Sequence, residues 1–172
     1  GQEENTGSSD RIWSHYTTFK EPIEISKDLK VGHYTMSSLR TGSSGIGTML
    51  HEMLHQMGSL DLYPVHDTFQ THQWKGVGDW DIMASGNWNG GGSWPALPTA
   101  ASLELIGAMR QQNMDLQWPS SAIAPCIGPS IQMTGMSEGG NNLKIQISQS
   151  EVVWIEYRSN SGFDSHLPGS GL

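Results

Sequence analysis

The sequence predicts an α+β fold, and two periodicities in the chain of 172 residues support it. Apolar residues recur at helical spacing over about residues 45–57, which predicts a helix that ends at Gly58. Apolar and polar residues alternate over 143–147 and again over 153–157, with a short Ser-Gln-Ser turn between them. This second pattern predicts a β-hairpin near the end of the chain.

Further elements are predicted on both sides of that helix. Pro22–Ser26 and Leu29–Met36 mix β-branched and aromatic residues with polar ones, which predicts two strands. Apolar spacing predicts a second helix over about residues 99–114. Beyond residue 117 the helical spacing gives way to the alternating pattern of residues 143–157. We therefore divide the chain into a region 1–117 and a β-rich, all-β region 118–172.

Composition narrows the class of partner. Nine basic and seventeen acidic residues give a net charge of −8, which argues against nucleic acid or an anionic membrane as the main partner. No apolar run reaches the roughly 18 residues that a membrane span requires. Cys126 is the single cysteine, so no disulfide can form within the chain, and we interpret it as a small buried residue in preference to a reactive thiol.

The segment that carries chemistry is His51-Glu52-Met53-Leu54-His55, which lies on the first predicted helix. Residues four apart share one helix face, so the rings of His51 and His55 can point at a common centre and bind Zn²⁺. Glu52 projects from nearly the same face and is placed to act as a general base toward a water molecule at the metal.

A third ligand follows from the next residues. Gly58 allows the backbone to turn sharply out of the helix, so Asp61, three residues further on, can swing back to the metal. This is the extended histidine spacing of metzincins, with Asp61 where histidine is usual. Residues 80–86 then form a tight polar turn around Met83, which we expect to be the Met-turn of such an enzyme.

Simpler interpretations remain beside this one. The polar trio on the helix could be a solvated face, although its apolar neighbours favour enclosure. Asp61 could be a helix-exit turn residue, with Tyr63 or water completing the site. Asp79 and Asp81 could bind a hard cation, but a role in the turn is favoured. Surface or structural roles are favoured for the remaining histidines: His15, His33, His66, His72 and His166.

At this point the sequence resembles the immune inhibitor A type of secreted bacterial metallopeptidase. The matching blocks extend over nearly the whole chain in the family's order. They are Ile12-Trp13-Ser14-His15, residues 51–63, Gly78 through Trp88, Trp154-Ile155-Glu156-Tyr157-Arg158, Gly162-Phe163-Asp164 and Leu167 through Leu172.

The resemblance implies zinc ligands at His51, His55 and Asp61 and a catalytic base at Glu52. It also implies a metzincin-like catalytic domain followed by a β-rich region, in a secreted bacterial protein. Two positions depart from the family: Leu60 stands where proline is frequent before the third ligand, and Pro64 stands where an acidic residue is frequent, which leaves a calcium site without support.

The resemblance further suggests an incomplete chain, because family members carry a substantial strand and helix portion before the segment that matches Gly1. Only about 45 residues precede the predicted helix, which is room for about two strands. We therefore expect a missing N-terminal segment or a companion chain from a cleaved precursor.

The leading hypothesis is hydrolysis of peptide bonds in extracellular proteins by a water that zinc activates, with Glu52 as general base. Tyr63 is a candidate stabiliser of the transition state. Residues 86–93 are a candidate wall of a specificity pocket or, equally well, a plain flexible connection. One alternative is a zinc-binding but inactive fragment. Another is an adhesion module of a larger secreted protein, suggested by the tryptophans at 74, 80, 88 and 94.

Overall fold

The fold is a mixed α and β arrangement with short helices and two small sheets. It is known from a computed structural model, which describes residues 10, 12–38, 42–65, 76–108, 110–116 and 127–171. The regular elements, in chain order, are β1 (His15–Ser26), β2 (Leu29–Met36), α1 (Ile46–Gln56), α2 (Ala100–Leu105), β3 (Gln111–Asn113), β4 (Asn142–Gln146) and β5 (Val152–Ile155). The coarse α+β prediction is therefore confirmed, and short 3₁₀ turns connect several of these elements.

The first sheet is an antiparallel hairpin of β1 and β2. The predicted strand Leu29–Met36 is confirmed, whereas β1 begins at His15 and is longer than the predicted Pro22–Ser26. The sequence from Tyr16 to Phe19 is aromatic and β-branched, which suits a pleated strand. The hairpin packs against α1, where the Gln56 amide donates a hydrogen bond of 3.2 Å to the hydroxyl of Thr35.

Helix α1 agrees with the predicted helix to within one residue at each end. Its buried side consists of Gly47, Thr48, His51 and Glu52. The apolar side chains that were expected to enclose these residues instead face outward. Leu50, Met53 and Met57 are between 37% and 56% exposed. The expected enclosure of the polar side is therefore confirmed for His51 and Glu52, but the reason given for it is wrong, because the backbone of residues 82–92 covers this side. A β-carbon at Gly47 would overlap the Asn87 carbonyl oxygen.

The second predicted helix is much shorter than expected. It ends at Leu105 instead of continuing to about residue 114. Gly107 has a φ of +72°, a left-handed conformation that ends helices. Residues Gln111–Asn113 then form β3, because their backbone groups pair with β4 and tertiary pairing prevails over helical spacing.

The second sheet has the order β3-β4-β5. The predicted hairpin is confirmed as the antiparallel pair β4 and β5, in which Leu143 faces Ile155 and Ile145 faces Val153. Strand β3 is parallel to β4 and comes from the region before residue 117. The sheet thus contains strands from both regions that the sequence suggested, and the division at 117 stays a prediction. Cys126 lies outside the described residues.

A buried ion pair near the end of the chain is hydrogen-bonded to the segment that follows α1. Arg158 donates two hydrogen bonds of 2.7 Å to the Asp164 carboxylate, and both side chains are buried. The same guanidinium also donates to the carbonyl oxygens of Trp80 and Leu97. These contacts pin residues 156–164 onto residues 80–97, where Ile82, Met83, Ala84 and Ala96 form part of the apolar core.

Among the residues that the structure describes, no helix has the length and apolar character required to cross a bilayer.

Candidate metal centre

Three side chains converge at the C-terminal half of α1. The His51 and His55 Nε2 atoms are 3.2 Å apart. The Asp61 Oδ1 atom lies 3.1 Å from His51 Nε2 and 3.3 Å from His55 Nε2. Among the described residues, these three form the single group of histidine, cysteine or acidic side chains with the geometry to hold a metal ion. The structure therefore brings together the three residues that the sequence proposed as ligands.

The other nitrogen of each imidazole is already engaged. His51 Nδ1 donates a hydrogen bond of 2.8 Å to the Ile82 carbonyl oxygen. His55 Nδ1 donates one of 2.9 Å to the Ser59 carbonyl oxygen. Because a carbonyl only accepts, each neutral ring carries its hydrogen on Nδ1 and presents the Nε2 lone pair to the common centre. Backbone acceptors of this kind orient metal-binding histidines.

The donor set fits a divalent cation such as zinc. Three ligand atoms on a tetrahedral Zn²⁺, with bonds of about 2.0–2.1 Å, lie about 3.3 Å apart, close to the three separations observed. Asp61 Oδ1 is buried and has no hydrogen-bond partner. A carboxylate oxygen beside two imidazole lone pairs needs a shared cation to compensate its burial. Two nitrogens and one oxygen also suit zinc better than calcium, which takes oxygen ligands.

The turn after α1 aims Asp61 at the histidines. Gly58 has a φ of +104°, where glycine is favoured, and it reverses the chain direction at the helix end. Ser59 N–H then donates a hydrogen bond of 3.0 Å to the Leu54 carbonyl oxygen of the helix. One residue past Asp61, Leu62 N–H donates to the Met83 carbonyl oxygen at 2.9 Å, which fixes the ligand loop to the turn around Met83.

Glu52 is buried next to the two histidines. It lines a cleft of about 280 Å³ together with the three candidate ligands, Tyr63 and the first residues of the hairpin, Ser14, His15 and Tyr16. Burial raises the pKa of Glu52, while the charges of His51 and His55 oppose that shift. A carboxylate with a raised pKa and access to a cleft has the properties of a general base.

The electrostatics of the other groups follow from their contacts. Burial disfavours ionisation of Asp61, yet close contact with His51 and His55 holds its pKa well below the ordinary value. The contact with Asp61 raises the pKa of His55 in spite of burial. Asp61 is accordingly an anion at neutral pH, which is the state that a metal ligand requires.

Met83 is fully buried in a turn that Asp81 organises. The Asp81 carboxylate accepts hydrogen bonds from Met83 N–H, from the amide and hydroxyl of Thr99, and from the hydroxyl of Ser102. This supports the turn role that the sequence favoured for Asp81. The residue before Met83 is Ile82, whose carbonyl oxygen accepts the hydrogen bond from His51 Nδ1. The turn therefore also positions a candidate ligand. The pattern around Met83 gave no signal for these long-range contacts.

Tyr63 lies at the cleft, with its ring 6.3 Å from that of His51. Burial raises its pKa above the ordinary range, with further contributions from the charge of Asp61 and from a hydrogen bond to that carboxylate. These contributions place the Tyr63 hydroxyl next to the carboxylate of the third candidate ligand. A second cavity of about 240 Å³ lies beside Tyr63 and is lined by Ala84, Ser85, Asn87 and Trp88. Of residues 86–93, which the sequence offered as a candidate pocket wall, Asn87 and Trp88 line this cavity.

The remaining histidines have varied positions. His15 lines the cleft, and its Nδ1 donates to the Trp13 carbonyl oxygen at 2.7 Å. His33 packs near the ring of Tyr16, and His166 stacks on Trp94. None of these is brought to the ligand atoms of the metal group. His66, His72 and Trp74 lie outside the described residues.

Comparison with known proteins adds no relative: no family model, no curated protein and no solved structure matches the chain.

Proposed function

We propose that this protein is a zinc-dependent endopeptidase. The observation that carries the proposal is the convergence of His51 Nε2, His55 Nε2 and Asp61 Oδ1 within 3.3 Å of one another, beside the buried carboxylate of Glu52. Three protein ligands with an accessible cleft are characteristic of catalytic zinc sites. The resemblance to metallopeptidases of the immune inhibitor A type agrees with this proposal and adds a metzincin-like fold to it.

The chemistry divides between metal and protein. Zn²⁺, when bound, supplies polarisation of a carbonyl group and acidification of water. Glu52 accepts a proton from the attacking water at its carboxylate and returns it to the leaving amine. Its raised pKa suits both directions of transfer. The Tyr63 hydroxyl, at the cleft, is the chain's candidate donor toward negative charge that develops on the substrate oxygen.

The substrates that we propose are extracellular proteins or peptides, and the setting is the outside of a bacterial cell. Both rest on the family resemblance. A missing N-terminal segment or companion chain belongs to the same proposal. Calcium gains no support from the described residues, because their one metal-ligating group contains two imidazoles.

The test is the Glu52→Gln variant. It keeps the shape of the side chain and leaves the three candidate ligands in place, so we expect one zinc per chain and a loss of about 10²–10⁴ in kcat on casein. Glu24→Gln is the matched control, because Glu24 is exposed on β1. Cleavage by Glu52→Gln at a rate close to that of the unaltered protein would refute the general-base role.

The adhesion alternative has one observation in its favour, the exposure of Trp88 and Trp94. An adhesion module has no chemical use for a buried Glu52 between two ligands. The alternative of an inactive zinc-binding fragment predicts bound zinc without chelator-sensitive cleavage of casein. The same assays therefore separate the three functions.

A further inference from the structure

Tyr16, near the start of β1, touches two parts of the candidate metal centre. Its ring stacks on the ring of His55, with a centroid distance of 5.9 Å and an interplanar angle of 28°. Its backbone amide lies close enough to the Glu52 carboxylate to lower the pKa of that group. One residue of the hairpin therefore contacts both a candidate ligand and the candidate base, although neither histidine spacing nor helical periodicity points to it.

The ring of Tyr16 completes the surroundings of His55. One nitrogen of His55 is held by the Ser59 carbonyl oxygen, and the edge of the ring meets His51 at a centroid distance of 4.8 Å. These contacts leave a face of the imidazole that the aromatic ring of Tyr16 covers. His33 packs on Tyr16, 5.7 Å from centroid to centroid, which holds the tyrosine from within the hairpin.

We infer that Tyr16 is a positioning residue of the metal centre, whose ring fixes the imidazole of His55 in the orientation that binds the ion. Aromatic pairs at this separation restrict each other's orientation. Loss of a group that orients a ligand typically weakens metal binding or activity about 10–100-fold. The hairpin is thus part of the metal site and not only a neighbour of the helix. This inference rests on the metal site of the proposed function and not on turnover.

The experiment compares three variants of the full chain by zinc affinity, measured in competition with a chelator, and by the visible absorption spectrum of the Co²⁺-loaded protein. Tyr16→Ala removes the ring and keeps the backbone amide, so we expect the dissociation constant for zinc to rise about ten-fold and the Co²⁺ bands to shift. Tyr16→Phe keeps the aromatic ring, so we expect its zinc affinity and its Co²⁺ spectrum to match those of the unaltered protein. Phe19→Ala is the matched control, because Phe19 packs on Tyr34 in the same hairpin at 5.2 Å.

Each outcome decides the inference. Equal zinc affinity and an unshifted spectrum in Tyr16→Ala would overturn it, as would an equal loss in Phe19→Ala, since that result would assign the effect to the hairpin as a whole. If circular dichroism shows that Tyr16→Ala does not fold, Tyr16→Leu fills the space without an aromatic face and is compared in the same way. An unaltered chain that binds no zinc refutes the proposed function as well, whereas one that binds zinc but cleaves nothing leaves the inference standing.

Discussion

Replacement of Arg158 by methionine tests whether the buried ion pair holds the end of the chain against the turn that carries Met83. Arg158 is 3% exposed and its partner Asp164 is 0% exposed. The guanidinium donates two bonds of 2.7 Å to that carboxylate and one of 2.9 Å to the Trp80 carbonyl oxygen. Methionine fills similar space but leaves the Asp164 carboxylate, and the Glu156 carboxylate 3.2 Å from the guanidinium, without a cation.

The expected cost follows from that burial. Removal of one partner from a buried pair costs about 3–5 kcal/mol of the free energy of unfolding. For a chain of this size each kcal/mol lowers Tm by about 2–4 °C, so Arg158→Met is expected to lower Tm by about 10 °C. The double variant Arg158→Met/Asp164→Leu removes both charges and is expected to recover part of the loss.

The assay is thermal unfolding followed by circular dichroism, with Lys144→Met as control. Lys144 pairs with Glu104 on the surface at 2.6 Å, with side chains 20% and 38% exposed. Exposed pairs contribute about 0–1 kcal/mol, so the control should shift Tm little. If Arg158→Met unfolds no earlier than Lys144→Met, or if the double variant is worse than the single one, the structural role given to this ion pair is wrong.

Three further predictions concern the site and its supports. Gly47→Ala should lower the free energy of unfolding in urea by several kcal/mol, because the added carbon would overlap the Asn87 carbonyl oxygen. Gly32→Ala has open space and should change that free energy by less than about 1 kcal/mol. Equal effects of the two substitutions would contradict the close approach of α1 to the backbone at Asn87. Tyr63→Phe should weaken zinc binding about ten-fold, measured by chelator competition, because the Tyr63 hydroxyl lies next to the Asp61 carboxylate. A loss of turnover with unchanged zinc affinity would instead favour transition-state stabilisation. Zinc at 100 times its dissociation constant should stabilise the fold by about 2.7 kcal/mol, measured as a rise in Tm that a chelator reverses. The absence of a rise with zinc, or an equal rise with calcium, would contradict the proposed zinc site.

The candidate site could be predicted from the sequence because its geometry is local. His51 and His55 share a helix face at a spacing of four, and Gly58 determines where the chain turns toward Asp61. All of these residues lie within a stretch of eleven. The same holds for the hairpin of β4 and β5, whose strands are close in sequence and alternate in polarity. In the first sheet β2 was predicted with its bounds, but β1 only over its last five residues.

The rest depends on contacts that local patterns do not encode. Helix α2 is short because β3 pairs with a strand some thirty residues later, and helical spacing carries no information about that pairing. The outward apolar side of α1 could not be foreseen, because what covers its polar side is the backbone of a distant turn. Asp81 was recognised only as a turn residue, yet its partners Thr99 and Ser102 are about twenty residues away.

The most direct measurement is anomalous diffraction at the zinc absorption edge from crystals grown with zinc. We expect one ion, at about 2.0–2.2 Å from His51 Nε2, His55 Nε2 and an Asp61 carboxylate oxygen, with Glu52 near it but not bound to it. A peak coordinated by other residues, or no peak at these three side chains in the presence of excess zinc, would contradict it.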